Sequence, residues 1–414
     1  MKASLILGIK KEHTLSSRST IILAVVCIAA IILSGINSIL ILNTINTQRE
    51  ISNRLSNLTE TLTAINQTAL ANATDVERLL NELASEISEL SSEIERHLNQ
   101  TPANIYETTY KSVVVITTPA GQGSGFLYNT SNMLLTNWHV VEGETDIEVQ
   151  FYDGTRRSAS IVGSDAYSDV ALLMVAKSPP EARPLQLGNS SDLFVGQQVV
   201  AIGNPLGLTG SLSSGYISQV NKLIDIIDVP IIIPVIQIDL TLAPGNSGGP
   251  LLDMEGNVVG ITNAGTSYQF NFAVPSNIIR RVVSSIVENG YYRHPLIGFW
   301  LIELTPDVIS KLNILNVKPS QSGLLVWDVM ENYPAEAAGL QGVVEAEALD
   351  GTPGYMARDI VLEVDGHPMH TLADWTVYVE EHVSPEQTIT LTLWRSGETS
   401  MVEVTTTYRP PYDE

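Results

Sequence analysis

An apolar run near the start of the chain predicts a membrane anchor. Residues 20–42 are largely Ile, Leu, Val and Ala, and no charged residue occurs from residue 19 to residue 48. About 20 apolar residues in a helix are enough to cross a bilayer. Residues 1–19 carry four Lys or Arg against one Glu, so this flank is expected to be cytoplasmic and the rest of the chain extracytoplasmic. A cleaved signal peptide is the alternative, but the length of the run and the lack of a clear cleavage site favour an uncleaved, single-pass anchor in the cell membrane.

A heptad-like pattern follows over residues 43–101. Apolar residues recur every three or four positions from Ile51 to Ile94, with a polar step at Asn72. Such a narrow apolar seam is typical of a coiled coil, and its irregular spacing is a stutter. We interpret residues 43–101 as a coiled-coil stalk that lifts the following domains from the membrane and helps them to oligomerise. An isolated, solvated helix is the alternative.

Short β-type runs replace the helical pattern after Thr101 and Pro102. Frequent Gly, Asn and Pro residues separate them, which is typical of an all-β barrel or sandwich. The segment 223–236 is unusually apolar and is interpreted as core, with contact to a partner or a membrane as the alternative. The predicted strands are 112–118, 124–128, 145–151, 158–163, 170–176, 197–203, 214–220 and 231–240.

A helix at residues 276–289 is predicted to end this β-rich domain. Ser276 can cap its start, apolar residues recur at helical spacing, and Gly290 follows as a stop. We therefore divide the chain after the stalk into domains at 102–290 and 291–410. The predicted elements of the second domain are strands at 323–329 and 359–366, a helix at 372–382 and a hairpin that turns at Ser396 and Gly397.

Composition and charge exclude several classes of function. The formal net charge of −23 leaves no basic patch to neutralise phosphates, so a nucleic-acid partner is not expected. The single cysteine, Cys27, lies in the apolar run, which excludes a disulfide framework and a cysteine metal site. Neither a phosphate-binding Gly-x-x-x-x-Gly-Lys-Ser/Thr loop nor a His-Glu-x-x-His motif occurs, so nucleotide hydrolysis and zinc proteolysis lack support and no cofactor or metal is expected.

One small-residue stretch has the pattern of a nucleophile loop. Gly-Asn-Ser-Gly-Gly-Pro, residues 245–250, places Ser247 on a tight turn directly before an apolar run. An attacking serine needs an accessible hydroxyl and nearby backbone N–H groups for the developing oxyanion. A Gly-rich hairpin turn is the structural alternative.

A base and an acid stand upstream of this serine in fitting positions. His139 follows the apolar run 133–136, and Asp169 opens the apolar run 170–175; Asp165 is a nearby competitor for the acid. The order His, Asp, Ser is the one found in chymotrypsin-type triads. We therefore predict His139, Asp169 and Ser247 as the catalytic residues.

These motifs resemble the HtrA/Deg family of trypsin-like serine proteases. The family carries the Leu-Thr-Asn-x-His-Val-Val, Asp-Val-Ala-Leu-Leu and Gly-Asn-Ser-Gly-Gly-Pro blocks seen here, and the resemblance covers about residues 105–410. Trp138, Leu240, Thr241 and Ala243 depart from the family pattern, which leaves the triad intact and changes the expected pocket.

The resemblance implies a mainly β fold, with two six-stranded barrels and the active site in the cleft between them. It assigns the oxyanion hole to Gly245, Asn246 and Ser247, with the Gly245 and Ser247 amides as donors. The wall at 240–243 and 261–265 has no acidic residue, so we predict cleavage after small or medium apolar residues. The predicted pocket residues are Leu240, Thr241, Leu242, Ala243, Ile261, Thr262 and Asn263.

The second domain resembles the PDZ domain of the same family. There, a loop of the Leu-Ile-Gly-Phe type binds the carboxylate of a peptide C-terminus, and the peptide adds as a strand to the sheet. The resemblance assigns this loop to Leu296, Ile297, Gly298 and Phe299. Residues 341–357 are an insertion relative to the family, and their sequence does not indicate a role.

Together, the motifs predict a membrane-anchored, ATP-independent serine endopeptidase with a double-barrel protease domain and a PDZ domain. The resemblance implies degradation of misfolded or damaged extracytoplasmic proteins, recognition of peptide C-termini, and a homotrimer or higher oligomer. Two alternatives remain: a peptide-binding chaperone or scaffold, and a regulatory protease that cuts one signalling substrate. The complete triad motif set weighs against pure binding.

Overall fold

The computed structural model describes residues 45–68, 73–203, 211–224, 232–263 and 271–412. The chain divides into two compact units, Met1–Gln100 and Thr101–Glu414. The predicted cytoplasmic segment 1–19 and anchor 20–42 lie outside the described residues. In the part of the chain that is described, no helix combines the length and the apolar character that a membrane span requires.

Two helices make up the described part of the first unit: α1, Ile45–Thr68, and α2, Ala73–Asn99. Arg54 near the start of α1 pairs with Glu93 near the end of α2 at 2.6 Å, so the two helices run antiparallel. The predicted apolar seam packs between them, and Leu58, Leu83 and Leu90 are its buried centre. The seam is therefore used within one chain, and self-association through these helices stays a prediction.

A short helix leads into the first barrel. This helix is α3, Pro102–Thr109, capped by the Thr101 hydroxyl, which accepts a bond from the Asn104 amide. The barrel strands are β1 Val113–Thr118, β2 Gly121–Leu127, β3 Met133–Thr136, β4 Ile147–Gln150, β5 Arg156–Asp165 and β6 Val170–Val175. They close in the order β1-β2-β3-β6-β5-β4, and side chains such as Ile116 and Leu173 fill the interior.

The second barrel repeats this arrangement. Its strands are β7 Gln198–Gly203, β8 Ser211–Lys222, β9 Val235–Ile238, β10 Pro250–Leu252, β11 Val258–Asn263 and β12 Asn271–Pro275, closed in the order β10-β11-β12-β9-β8-β7. All eight runs predicted as strands coincide with strands of the two barrels. Of the apolar segment 223–236, the described residues Ile233, Val235 and Ile236 are buried, which agrees with the core interpretation for that part.

Helix α4, Ser276–Asn289, covers the space between the barrels, and Gly290 ends it with a left-handed φ of +84°. Ile279, Val283 and Ile286 of α4 join one core with residues of both barrels, such as Phe126 and Ile261. The predicted cap at Ser276 is wrong. Pro275 holds the cap position, and the Ser276 hydroxyl instead donates to Gly188 O at 3.0 Å, because it faces the connection between β6 and β7.

The chain then builds a partly open antiparallel sheet. Its elements are β13 Pro295–Leu296, β14 Phe299–Glu303, α5 Pro306–Lys311, β15 Leu324–Val329, α6 Pro334–Ala337, β16 Val344–Glu347, β17 Pro353–Met356, β18 Asp359–Val364, β19 His367–Pro368, α7 Leu372–His382, β20 Thr388–Arg395, β21 Glu398–Thr405 and β22 Thr407–Tyr408. The main order is β14-β15-β18-β20-β21, which leaves β14 at an edge, and the β20–β21 hairpin turns at Ser396 and Gly397 as predicted.

The insertion at 341–357 forms the β16–β17 hairpin. Side chains alternate across β15, so Leu324 and Val326 face the core under α7, whereas Leu325 faces a second small core. Tyr355 of the hairpin packs on Trp327 at that second core, with ring centroids 4.8 Å apart. The insertion therefore covers the sheet face opposite α7.

Candidate active site

Ser247 lies on a loop between β9 and β10 that opens with a tight turn. Pro244 and Gly245 occupy the two central turn positions, Gly245 has φ +96°, and the Asn246 amide donates to Ala243 O at 3.0 Å. A positive φ after proline is the requirement of a type II turn, which explains glycine at 245. The Asn246 amide is committed to this turn.

Side chains from both barrels hold the serine loop. From the first barrel, the Ser124 amide donates to Ser247 O at 2.7 Å and the Ser124 hydroxyl donates to Gly245 O at 2.6 Å. From the second barrel, the Thr262 hydroxyl donates to Asn246 O at 2.8 Å. Ser124 is fully buried, so these bonds are shielded from water and fix the backbone on each side of the nucleophile.

Gly248 shows how closely the first barrel approaches this loop. Its φ is +87°, and a Cβ at this position would lie 2.1 Å from Ser124 O and 2.2 Å from Thr136 Oγ1. Only glycine fits both the backbone angle and the space.

His139 faces the predicted acid directly. It lies in a short 3₁₀ turn, Trp138–Val140, just after β3. Its Nδ1 is 2.9 Å from Asp169 Oδ2 and 3.0 Å from Oδ1. Carboxylate oxygens only accept hydrogen bonds, so Nδ1 carries the proton and Nε2 is left as the base. Burial alone lowers the pKa of His139, but the charge of Asp169 and the hydrogen bond to it outweigh burial and hold that pKa above its ordinary value.

Asp169 is locked in place from several sides. It is fully buried and has a left-handed φ of +53°, an uncommon backbone state that surrounding contacts must hold. The Asn137 amide side chain donates to Asp169 O at 2.9 Å, and the Asn263 side chain donates to Oδ2 at 2.8 Å. The competitor Asp165 bonds Ser168 and His294 instead, so Asp169 is the partner of His139.

The nucleophile loop and the His turn meet at Gly123. A Cβ at Gly123 would lie 2.7 Å from the side chain of Val140, the residue after His139, and 3.2 Å from Ser247 O. Two neighbouring residues of β11 add a second link between the acid and the nucleophile. Asn263 donates to Asp169, and Thr262 donates to the serine loop. The structure therefore gathers the three predicted catalytic residues at the junction of the two barrels.

Several predicted pocket residues have other positions. Leu240 and Ile261 are buried in the core, Thr262 holds the serine loop, and Asn263 orients Asp169, so these four do not form an open wall. For Ile261 the physical reason is that inward-facing strand positions fill the barrel interior. Thr241 and Ala243 are exposed and Leu242 is half-buried. The predicted preference for apolar residues stays a prediction.

The predicted carboxylate loop opens at Gly298, which has φ +87°. The carbonyls of Ile297 and Gly298 both turn inward and accept bonds from Ala335 N at 2.8 Å and Met330 N at 2.9 Å. The Gly298 and Phe299 amides share peptide planes with these two carbonyls. In a trans peptide the N–H points opposite to the C=O, so both amides point away from Ala335 and Met330. Phe299 packs on Trp375 of α7 at 5.1 Å between ring centroids, so aromatic rings lie between β14 and α7.

One charged group, His294, was not identified from the sequence. His294 is 1% exposed, with Nδ1 2.7 Å from Glu380 Oε2 and Nε2 2.9 Å from Asp165 Oδ2. Burial lowers the pKa of His294, but the two carboxylates outweigh burial and raise it to about 9. No local motif marks this site, because its partners lie 129 and 86 residues away. Across the described ranges, no cluster of three His, Cys, Asp or Glu side chains is arranged to hold a metal ion.

Two closed six-stranded barrels that place a His–Asp pair beside a glycine-flanked serine define the class of trypsin-like serine peptidases, here followed by a second, peptide-binding type of domain. A family model for a trypsin-like peptidase domain matches residues 123–261, and one for a PDZ domain matches residues 295–406. The chain thus has a trypsin-like peptidase domain followed by a PDZ domain, the two domain types that the resemblance to the HtrA/Deg serine proteases implies.

Named relatives agree with this assignment. Protease Do-like 1, chloroplastic, of Arabidopsis thaliana is 36% identical over 279 residues, which are 64% of this chain and 60% of that protein. Serine protease Do-like HtrA of Bacillus subtilis is 31% identical over 295 residues, 68% of this chain and 62% of that protein. The solved structure of HtrA-type protease AlgW with tripeptide is 28% identical to this chain and has a TM-score of 0.60. The match covers 76% of this chain and 99% of that chain. The chain spans about three fifths of the length of the curated relatives it matches.

Proposed function

We propose that this chain is an ATP-independent serine endopeptidase of the HtrA/Deg type. The observation that carries the proposal is the pairing of His139 with the fully buried Asp169, beside a serine loop bonded to both barrels. The named relatives are serine proteases, which supports the same activity. A binding scaffold has no need for a buried acid that fixes one imidazole tautomer.

Each residue of the triad has a defined task in peptide hydrolysis. Ser247 Oγ attacks the peptide carbonyl while Nε2 of His139 takes its proton, and His139 then returns the proton to the leaving amine. Asp169 holds the proton on Nδ1 and stabilises the imidazolium. A water molecule then attacks the acyl-enzyme, with His139 again as the base, and the second product is released from Ser247.

The oxyanion hole is assigned to the amides of Gly245 and Ser247. Asn246, the third residue of the predicted oxyanion hole, contributes no donor, because its amide closes the turn at Ala243 O. The loss of one oxyanion donor typically lowers turnover by about 10²- to 10³-fold. The Thr262 hydroxyl holds Asn246 O, and with it the peptide plane that carries the Ser247 amide, while the Ser124 hydroxyl holds the neighbouring Gly245 O.

The PDZ domain is proposed to bind peptide C-termini. The outward amides of Gly298 and Phe299 fit a carboxylate, and the free edge of β14 accepts an added strand. Gly298→Ala tests this assignment, since a Cβ there would lie 2.1 Å from Tyr333 Cβ. We expect the variant to lose binding of a fluorescent hydrophobic C-terminal peptide, and Gly366→Ala, with φ +80° but open space, to keep it.

The anchor, the oligomer and the quality-control role belong to the same proposal. The uncharged run at 20–42 and its positive flank support a single-pass anchor with both domains outside the cytoplasm. The family resemblance supports misfolded proteins as substrates and a homotrimer or higher assembly. Protease accessibility of the PDZ domain in sealed cells, and the mass of the detergent-extracted chain, test orientation and assembly.

Casein hydrolysis and fluorophosphonate labelling of the Thr101–Glu414 unit test the activity. We expect both in the wild type, neither in Ser247→Ala, and both in Ser160→Ala, which changes an exposed serine on β5. Folded protein without labelling or hydrolysis, even after addition of a C-terminal peptide, would favour the binding scaffold. Cleavage of one cellular membrane protein and not of casein would favour the dedicated regulatory protease.

A further inference from the structure

The segment that follows the PDZ sheet returns to the peptidase domain. Tyr408 in β22 pairs with Pro295 of β13, and the Arg409 amide donates to His294 O at 2.8 Å. Residues 409–412, called here the return segment, then line a cavity of about 540 Å³ together with residues 164–167, 291–294 and Trp138.

The return segment contacts two aromatic residues of the peptidase domain. The Tyr412 ring meets Trp138 edge to face at 5.7 Å and Tyr167 at 6.1 Å between centroids. The Tyr167 hydroxyl donates to Pro410 O at 3.0 Å, and the Arg409 guanidinium lies 5.4 Å from the Tyr167 ring centroid. Edge-to-face aromatic pairs and cation–π contacts both favour these geometries.

The two contacted residues flank the catalytic pair. Trp138 directly precedes His139, and Tyr167 stands two residues before Asp169. The 3₁₀ turn that carries His139 has no buried residue of its own, so neighbouring contacts must supply its rigidity. Trp138 is also one of the positions at which the sequence departs from its family pattern, and the contact with Tyr412 gives this tryptophan a physical role.

We propose that the return segment positions the catalytic pair: Tyr412 and Pro410 hold Trp138 and Tyr167, and these hold the backbone of His139 and Asp169. The inference rests on the proposed peptidase function. Catalytic groups must keep their geometry within about 0.5 Å, and a misplacement of about 1 Å can cost roughly 10²-fold in rate. Tyr412 therefore acts through Trp138 and Tyr167, as a positioning residue.

Steady-state kinetics of the full chain in detergent, with a short fluorogenic peptide, test this role. For Tyr412→Ala we expect kcat to fall about tenfold with KM changed less than twofold, because binding does not involve the segment. Tyr412→Phe keeps the ring and should restore kcat. Met401→Ala, which removes an exposed side chain on β21, should leave both constants unchanged. Unchanged kcat in Tyr412→Ala would overturn the proposal, as would a loss of PDZ peptide binding with kcat intact.

A double-mutant cycle identifies the contact that carries the effect. If Tyr412 acts through Trp138, the Trp138→Ala/Tyr412→Ala variant should be no slower than Trp138→Ala alone. Additive losses in kcat would overturn the proposed route.

If the wild type shows neither hydrolysis nor labelling, the proposed peptidase function is wrong. The positioning role is then tested by a measurement that does not depend on activity. In that case, the imidazole NMR signals of His139, assigned with His139→Gln, report its surroundings directly. A shift of these signals in Tyr412→Ala and their recovery in Tyr412→Phe would support positioning. Identical signals in all three proteins would overturn it.

Discussion

Glu380 Oε2 lies 2.7 Å from Nδ1 of His294, and this buried pair joins the PDZ helix α7 to the segment that leaves the peptidase domain. Asp165, at the end of β5, takes the other nitrogen of the same ring at 2.9 Å. Because both ring nitrogens face carboxylates, both must donate, and the imidazole is doubly protonated. The Tyr167 and Tyr292 rings stand perpendicular to the imidazole, at 5.5 and 4.7 Å between centroids, and His294 is buried from water.

This cluster predicts a stability that depends on pH. The folded pKa of about 9 exceeds the ordinary value of 6.5, so the folded state binds the extra proton. The stabilisation is fully present below about pH 6.5 and is lost as pH rises through about 9, on the order of 1–3 kcal/mol. Urea unfolding of the Thr101–Glu414 unit at pH 6.5 and pH 9.5 measures it.

The matched variants for that measurement are His294→Gln and His370→Gln. His294→Gln should lower stability at pH 6.5 and remove most of the difference between the two pH values. His370 is exposed, so His370→Gln should behave as wild type. Equal pH dependence in both variants would contradict the assignment.

The pH profile of hydrolysis is predicted from the His139–Asp169 pair. Nε2 must be neutral to take the proton of Ser247, so activity falls as pH drops through the pKa of His139. Asp169 holds that pKa above its ordinary value, and the acid limb of kcat/KM should therefore lie above pH 6.5.

Asp169→Asn should change this profile in a defined direction. The substitution leaves burial as the main influence on the pKa of His139, so the acid limb should move to lower pH. In addition, kcat should fall about 10³- to 10⁴-fold, because the tautomer of His139 is no longer fixed. An acid limb that stays in place would show that Asp169 does not set the pKa of His139.

Asn263 is predicted to act on rate and not on substrate binding. Its side chain donates to Asp169 Oδ2, and Asn263→Ala removes that bond from a buried carboxylate. We expect kcat to fall about tenfold while KM for a short peptide is unchanged. A large rise in KM with normal kcat would return Asn263 to the pocket wall where sequence reasoning placed it.

Gly248→Ala should destabilise the fold strongly, because the new Cβ meets Ser124 O and Thr136 Oγ1 in addition to the unfavourable φ of +87°. Gly143→Ala is the matched control, with φ +69° and open space around it. We expect about 1 kcal/mol of destabilisation for the control and more than about 3 kcal/mol for Gly248→Ala. Denaturant titration distinguishes them, and equal losses would mean that the loop relaxes away from Ser124.

Much of the architecture could be predicted because it depends on local pattern. Short apolar runs separated by Gly, Asn and Pro predicted the barrel strands, and motifs in the order His, Asp, Ser predicted the triad, whose members lie within a few residues of strands β3, β6 and β10. Asn263 and His294 could not be assigned in this way. Their roles depend on partners about a hundred residues away, which no periodicity encodes. The pocket assignment failed for Ile261 because a strand position near an active site can equally face the barrel interior.

Ser124 links the stability of the peptidase domain to its chemistry. The hydroxyl and amide of Ser124 connect the first barrel to the serine loop of the second, and they fix the carbonyls of Gly245 and Ser247. If either barrel unfolded alone, these hydrogen bonds would be lost and the Ser247 hydroxyl would no longer be held in position. Heating should therefore extinguish hydrolysis and the folded state at one common temperature, without an inactive yet compact intermediate.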